Sequence, residues 1–252
     1  MTNQMEVGPH IFSEAWFPYS IIMGVLFISI FFLIGLTTQK VGVAPATVAM
    51  RLTIIFPIIF AFTFYQETIN FPKLVGIVLA LIAIVLISMP KKNTPGQKGL
   101  ESKWLALLPF IIFFGSGSID VMVQYVEKSY FSIGGFEAFI ILVFGTAGLI
   151  GFAILLYKLL AKGERINGRS VLGGLLLGIP NYGSMYFFFK ALNLPGWESS
   201  VIFPINNIGI IVTASVAAMV LFRERLSKVN QIGLLCAIAS FIFIYLGRGG
   251  EV

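Results

Sequence analysis

Charge is scarce in this chain. Only 11% of its 252 residues are Asp, Glu, Lys or Arg, where a water-soluble domain carries about a quarter. That deficit excludes a domain surrounded by water. Cysteine is nearly missing. Cys236 is the single one, so no disulfide forms within the chain, and its place inside an apolar run makes it a small packed hydrophobe. His10 is the single histidine and lies before every apolar run. A histidine-based metal cluster cannot be assembled, and no metal or other cofactor is expected. No GxxxxGK[ST] loop is present, nor a soluble segment to hold one, so nothing points to ATP use. The segment from Met1 to Glu14 lacks a basic start followed by a short apolar run and small cleavage residues. No signal peptide is expected there.

Apolar residues, by contrast, make up 58% of the chain. They are gathered in runs of the length, about 20 residues, that crosses a bilayer as a helix. Eight such runs are read: Phe17 to Leu36, Ala44 to Tyr65, Lys73 to Met89, Trp104 to Tyr125, Phe136 to Tyr157, Val171 to Phe189, Val201 to Phe222 and Val229 to Gly247. Strands of a β-barrel would be shorter and alternating. The fold class is therefore all-α: a polytopic membrane protein of eight transmembrane helices. The net charge of +6 is placed between the runs, which concerns orientation rather than nucleic acid. Lys40, the segment with Lys91, Lys92, Lys98 and Lys103, the loop with Lys158, Lys162, Arg165 and Arg169, and the turn with Arg223, Arg225 and Lys228 fall on one side. The other side has little beyond Lys73, Lys128 and Arg248. The positive-inside rule puts the first set in the cytoplasm and the C-terminus outside. Trp16 and Tyr19 are expected at the headgroup level where the first span begins.

The chain repeats itself. Glu224 lies 157 positions after Glu67, and the same offset carries Gly76 onto Gly233, Asn70 onto Ser227, and Phe31-Phe32 onto Phe188-Phe189. Each copy is an apolar span, a turn with Glu, a polar cap and an apolar span with Gly inside. Asn70 and Ser227 are expected N-caps, with Pro72 in the first turn after Asn70. The Pro- and Lys-containing segment 90–103 is the seam. Three spans precede it in residues 1–89 and five follow in 104–247, with a tail at 248–252. An odd number of spans per unit inverts the second copy, and two inverted copies pack about a pseudo-two-fold axis with a substrate site near the midplane.

The second span carries Arg51 near its start and Pro57 at its middle. Gly115-Ser116-Gly117-Ser118 interrupts the fourth, where close packing or a bend is read. Pro180 and Pro204 mark further helix breaks. Gly145, Gly148 and Gly151, Gly174 and Gly178, and Gly209 with Thr213 and Ala217 read as faces where helices pack closely.

Ionisable groups at membrane depth are costly and are functional candidates by default. Asp120 comes first, with Gln124 one turn on and Glu127 at i+7 on the same face. It is a partner for a substrate amine, a proton-carrying carboxylate, or a structural partner of Arg51 or Lys190. These readings stay level. Asn206 and Asn207 follow Pro204, and Asn181 and Tyr182 follow Pro180. Amides beside a freed carbonyl make a hydrogen-bonding site for a polar solute; interhelical bonding is the bland alternative. Arg51 is the candidate to hold an anionic group, whereas Lys190 reaches toward the interface. Glu67 and Glu224 are structural, accepting backbone N–H bonds at the next helix start. The aromatic run Tyr186 through Phe189 is read as lipid contact.

The paired corners, Phe64-Tyr65-Gln66-Glu67 to Gly76 and Leu221-Phe222-Arg223-Glu224 to Gly233, resemble those of EamA-type domains of the drug/metabolite transporter superfamily. The helix pairs before each corner, Phe31-Phe32 through Ala46 and Phe188-Phe189 through Val201, are similar too. The resemblance covers the chain from Phe17 onward. It implies two inverted five-helix repeats, of which this chain offers three plus five, the first repeat lacking its first two helices. It also implies a secondary transporter, export of amino acids or related metabolites across a bacterial cytoplasmic (inner) membrane, and protons as coupling ion. Its partners would be a small-molecule substrate and the lipid bilayer; a homodimer is compatible and nucleic acid is not. The rivals are a flippase for a lipid-linked sugar, a non-transporting truncated protein, and an intramembrane enzyme. The last is disfavoured because no nucleophile–base set lies inside the spans.

Overall fold

The computed structural model describes residues 9–88, 103–131, 135–163, 167–221 and 227–247. The seam other than Lys103, Glu224 with its turn, and the tail lie outside the described residues. Among the described residues the fold is all-α: a short 3-10 turn at Pro9–Ser13, then α1 (Phe17–Lys40), α2 (Val43–Leu52), α3 (Ile55–Phe64), α4 (Phe71–Ser88), α5 (Lys103–Tyr130), α6 (Glu137–Lys162), α7 (Gly168–Leu192), α8 (Ser199–Leu221) and α9 (Lys228–Leu246). Six membrane-crossing segments are long and apolar enough by themselves: α1, α2 with α3, α5, α6, α8 and α9; α4 is a shorter apolar helix. The chain is thus an integral membrane protein of the polytopic helical class.

Helix ends follow local chemistry. Asn70 accepts the Lys73 N–H at 3.0 Å and starts α4, and Ser227 accepts the Asn230 N–H at 3.2 Å and starts α9. These satisfy amides that a helix leaves unpaired at its first turn. α6 stops at Gly163, whose φ of +63° suits a residue without a Cβ.

Three expectations are corrected here. The second span is two helices, separated by a turn at Thr53 and Ile54. Pro57 is the cause, but it acts one turn upstream: it lacks the N–H that would bond Thr53, and its ring crowds that carbonyl. The Phe56 N–H bonds Thr53 instead, at 2.9 Å. The glycines and serines at 115–118 do not interrupt α5, which runs through them. Pro180 and Pro204 break neither α7 nor α8. Trp16, just before α1, is packed inside the protein, 2% exposed.

The chain divides into two compact units. The first comprises 1–31 and 122–195, the second 32–121 and 196–252. In the first, aromatic rings form the core. Trp16 packs on Phe131 and Phe139 with centroids 5.5 and 6.0 Å apart, and Phe189 lies 5.4 Å from Phe136 and 5.9 Å from Phe139. Phe189 is therefore core, not lipid contact, while Phe187 is exposed. Gly24 brings α1 against α6: a Cβ there would lie 2.6 Å from Thr146 Cβ and 2.8 Å from the Val143 carbonyl.

In the second unit the dominant contact joins α4 to α9. A Cβ on Gly76 would lie 2.8 Å from the Ile244 amide nitrogen, and a Cβ on Gly233 would lie 3.1 Å from that of Ile87. Gly76 and Ile87 are each 157 positions before Gly233 and Ile244. The two contacts are thus one contact made twice, and the helices run antiparallel. Between them Ala80, Ala83, Ala237 and Ser240 are all buried, letting the backbones approach. Three side chains bond across the pair: Ser240 Oγ donates to the Gly76 carbonyl, Asn70 Nδ2 to Gly247 and Asn230 Nδ2 to Ile87, each at 2.6 Å. By contrast a Cβ added at Gly145, Gly148, Gly174, Gly178 or Gly209 would meet nothing within 4 Å among the described residues, and one at Gly151 only Ile28 at 3.9 Å. The packing glycines are others, because a small residue creates a contact only where a second helix arrives.

Candidate functional site

The turn between α2 and α3 faces α5. Gly117 on α5 leaves space that the ring of Phe56 fills, since a Cβ there would strike the ring. Phe56 also packs on Phe113 and Phe114, with centroids 4.9 and 5.8 Å away. One turn on from Gly117, Asp120 reaches the turn itself. Thr53 Oγ1 lies 2.7 Å from Asp120 Oδ2 and 2.8 Å from the Met50 carbonyl. Thr53 is 2% exposed, and Asp120 is partly buried. Arg51, in the last turn of α2, acts electrostatically on Asp120 but makes no ion pair with it within 4 Å. Its Nε is buried without a hydrogen-bond partner. Asp120, Arg51 and the unforeseen Thr53 therefore converge at one interrupted helix. The signal for Thr53 was its position four residues before Pro57.

The other candidates behave differently. Asn207 is buried and its amide donates back to the Phe203 carbonyl of its own helix at 3.2 Å. The carbonyl that Pro204 deprives of a donor is that of Ser200, three residues before the one that Asn207 uses. Asn206 is partly buried on the same helix. Gln124, Asn181 and Tyr182 belong to the first unit. There Gln124 is fully buried with neither amide atom bonded, Asn181 accepts the Ser184 hydroxyl at its backbone carbonyl, and Tyr182 packs on Phe144 at 5.6 Å. Lys190 Nζ lies 4.8 Å from the Tyr186 ring centroid.

A second polar cluster was not anticipated. The Glu67 carboxylate accepts the N–H groups of Ser199 and Ser200 at 3.1 and 2.9 Å. It therefore holds the start of α8, not that of the next helix, α4, where Asn70 already serves the amides. Lys73, with no exposed surface, forms an ion pair with Glu198, donates to the Thr68 carbonyl at 2.8 Å and lies 5.6 Å from the Phe62 ring centroid. Glu198 in turn accepts from the Thr68 N–H and hydroxyl at 3.2 and 2.9 Å. Lys73 is thus a buried ion-pair partner. Lys73→Met should lower stability by about 1–3 kcal/mol, less than for a fully buried pair because Glu198 keeps some solvent. Adding Glu198→Gln should recover part of that loss, and thermal melts of the single and double variants in detergent check it.

No known family profile matches the chain. A protein of Haemophilus influenzae (strain ATCC 51907 / DSM 11121 / KW20 / Rd), described as an uncharacterized protein, is 30% identical to it over 229 residues. The match spans 90% of this chain and 75% of that protein. The chain belongs to that protein's family. At this coverage the family likeness takes in both compact units, and the Asp120 turn and the α4–α9 pair are features of a family member.

Proposed function

We propose that the protein is a secondary transporter that exports a small polar metabolite, such as an amino acid, across the bacterial cytoplasmic membrane by alternating access. The observation that carries this reading is Asp120, an acidic side chain in mid-helix bonded to the turn of an interrupted helix. Transporters place solute and ion sites at discontinuous helices near the midplane, and a carboxylate at that depth is expensive unless it has work to do. The antiparallel α4–α9 pair, built from positions 157 apart, supports the inverted-repeat arrangement of three plus five helices and membership of the EamA type within the drug/metabolite transporter superfamily. Arg51 and Asp120 offer opposite charges to a zwitterionic solute, with Asn206 and Asn207 as further polar groups.

Reconstitution into lipid vesicles tests the reading. The purified chain should release a preloaded, labelled amino-acid pool faster than protein-free vesicles. Asp120→Asn should slow release at least about tenfold, equivalent to about 1.4 kcal/mol of barrier. Release no faster than from empty vesicles for any of the pooled solutes rejects the transporter, and full release by the variant rejects the role of Asp120.

A further inference from the structure

The hydroxyl of Thr53 has two acceptors and one hydrogen. Asp120 Oδ2 lies at 2.7 Å and the Met50 carbonyl at 2.8 Å, both at full hydrogen-bond distance. A hydroxyl donates once but accepts as well. With a carboxylate at Asp120, donation to one oxygen leaves the other without that hydrogen. With a carboxylic acid, all three groups are satisfied in series: the acid O–H donates to Thr53 Oγ1, and the Thr53 O–H donates to Met50.

The Met50 carbonyl belongs to the last four of α2, which have no partner within their own helix. Thr53 therefore serves as the cap of α2 when it turns toward Met50, and as the donor to Asp120 when it turns the other way. Thr53 is buried, so water does not readily supply the missing bond.

The geometry points to a proton-binding site made of Asp120, Thr53 and the Met50 carbonyl, in which a bound proton turns the Thr53 hydroxyl back onto the end of α2. It rests on the transporter reading only for its consequence, the coupling of protons to flux. Loading adds one proton to Asp120 Oδ2; no other bond is made or broken beyond the rotation of one O–H. Unloading sends the proton away from Oδ2 and returns the Thr53 hydrogen to the carboxylate, releasing Met50 at the turn between α2 and α3. Arg51, from the last turn of α2, is the charged side chain set against Asp120 among the described residues, without an ion pair to it within 4 Å. Thr53 is a positioning residue for the proton on Asp120.

The sequence provides a clean probe, because Asp120 is the only aspartate in the chain. Aspartate labelled at its side-chain carboxyl carbon, introduced by cell-free synthesis of the full chain into vesicles, reports this one group by infrared spectroscopy without any substitution. On acidification the labelled carboxylate bands should give way to a labelled acid C=O band. Thr53→Val should shift that band, and Thr53→Ser should restore it. Vesicle flux is read separately: a pH gradient should stimulate it in the native chain and in Thr53→Ser, and not in Thr53→Val. A labelled carboxyl that never converts to the acid between mildly acidic and mildly alkaline pH, or a band indifferent to Thr53→Val, overturns the site whatever the flux. A band that behaves as expected in vesicles that carry no flux leaves the proton site standing and removes the transporter.

Discussion

Glu67→Ala is expected to destabilise the protein by about 3 kcal/mol or more. Its carboxylate takes the N–H groups of Ser199 and Ser200, one on each oxygen, and hydrogen bonds to a charged group contribute about 1.5–3 kcal/mol each. The position is also the positive end of α8, where a carboxylate gains from the helix dipole. At 9% exposure little water is at hand to replace it. Ser200 is itself fully buried, so its freed amide would stay unpaired. Glu67→Gln should fall between, because the amide has one oxygen to offer and turns an N–H toward the other donor. Melting of native, Gln and Ala forms in one detergent at one scan rate gives the order. An alanine form as stable as the native protein would show that α8 begins without this anchor.

Gly76→Leu should disrupt the α4–α9 pair outright. Even the first carbon of a side chain at Gly76 would come within 2.5 Å of Ile244 Cγ1 and 2.8 Å of its backbone nitrogen. A neighbouring side chain can turn away; a helix backbone cannot. Gly76→Ala should therefore cost about 1–3 kcal/mol by overpacking, and trimming Ile244 to Ala should return only part of it. Gly233→Ala, against Leu86 Cβ at 3.0 Å and the Ile87 nitrogen at 3.1 Å, should be damaging for the same reason and to a lesser degree. Gly174→Ala is the contrasting case. With no atom within 4 Å, it should be neutral or gain up to about 1 kcal/mol of helix propensity. Yields of folded monodisperse protein and melts of the four variants decide the matter; equal behaviour of Gly76→Ala and Gly174→Ala would contradict the close contact.

The helices were legible because long apolar runs leave a chain in lipid few options. The caps at Asn70 and Ser227 were legible because capping is local chemistry. The 157-residue offset even picked out Gly76 and Gly233, though not what each would meet. What escaped the sequence was non-local. Nothing near Glu67 says that its partners are Ser199 and Ser200, and nothing near Lys73 names Glu198. Glycine spacing on α6 and α7 suggests contacts that, among the described residues, only Gly151 makes, and loosely. The turn at Thr53 is half legible: Pro57 is plain in the sequence, but its effect falls on the preceding turn of backbone. Asp120 stood out as an acid in an apolar span, and Thr53, an ordinary hydroxyl, did not.

A pair of rods bonded at their middle and at either end has little freedom to slide. Leu74 and Ile242, on the exposed flanks of α4 and α9, are thus natural places for spectroscopic rulers. Their separation should stay fixed when other parts of the chain move, giving a stationary frame against which displacement of any other segment is measured.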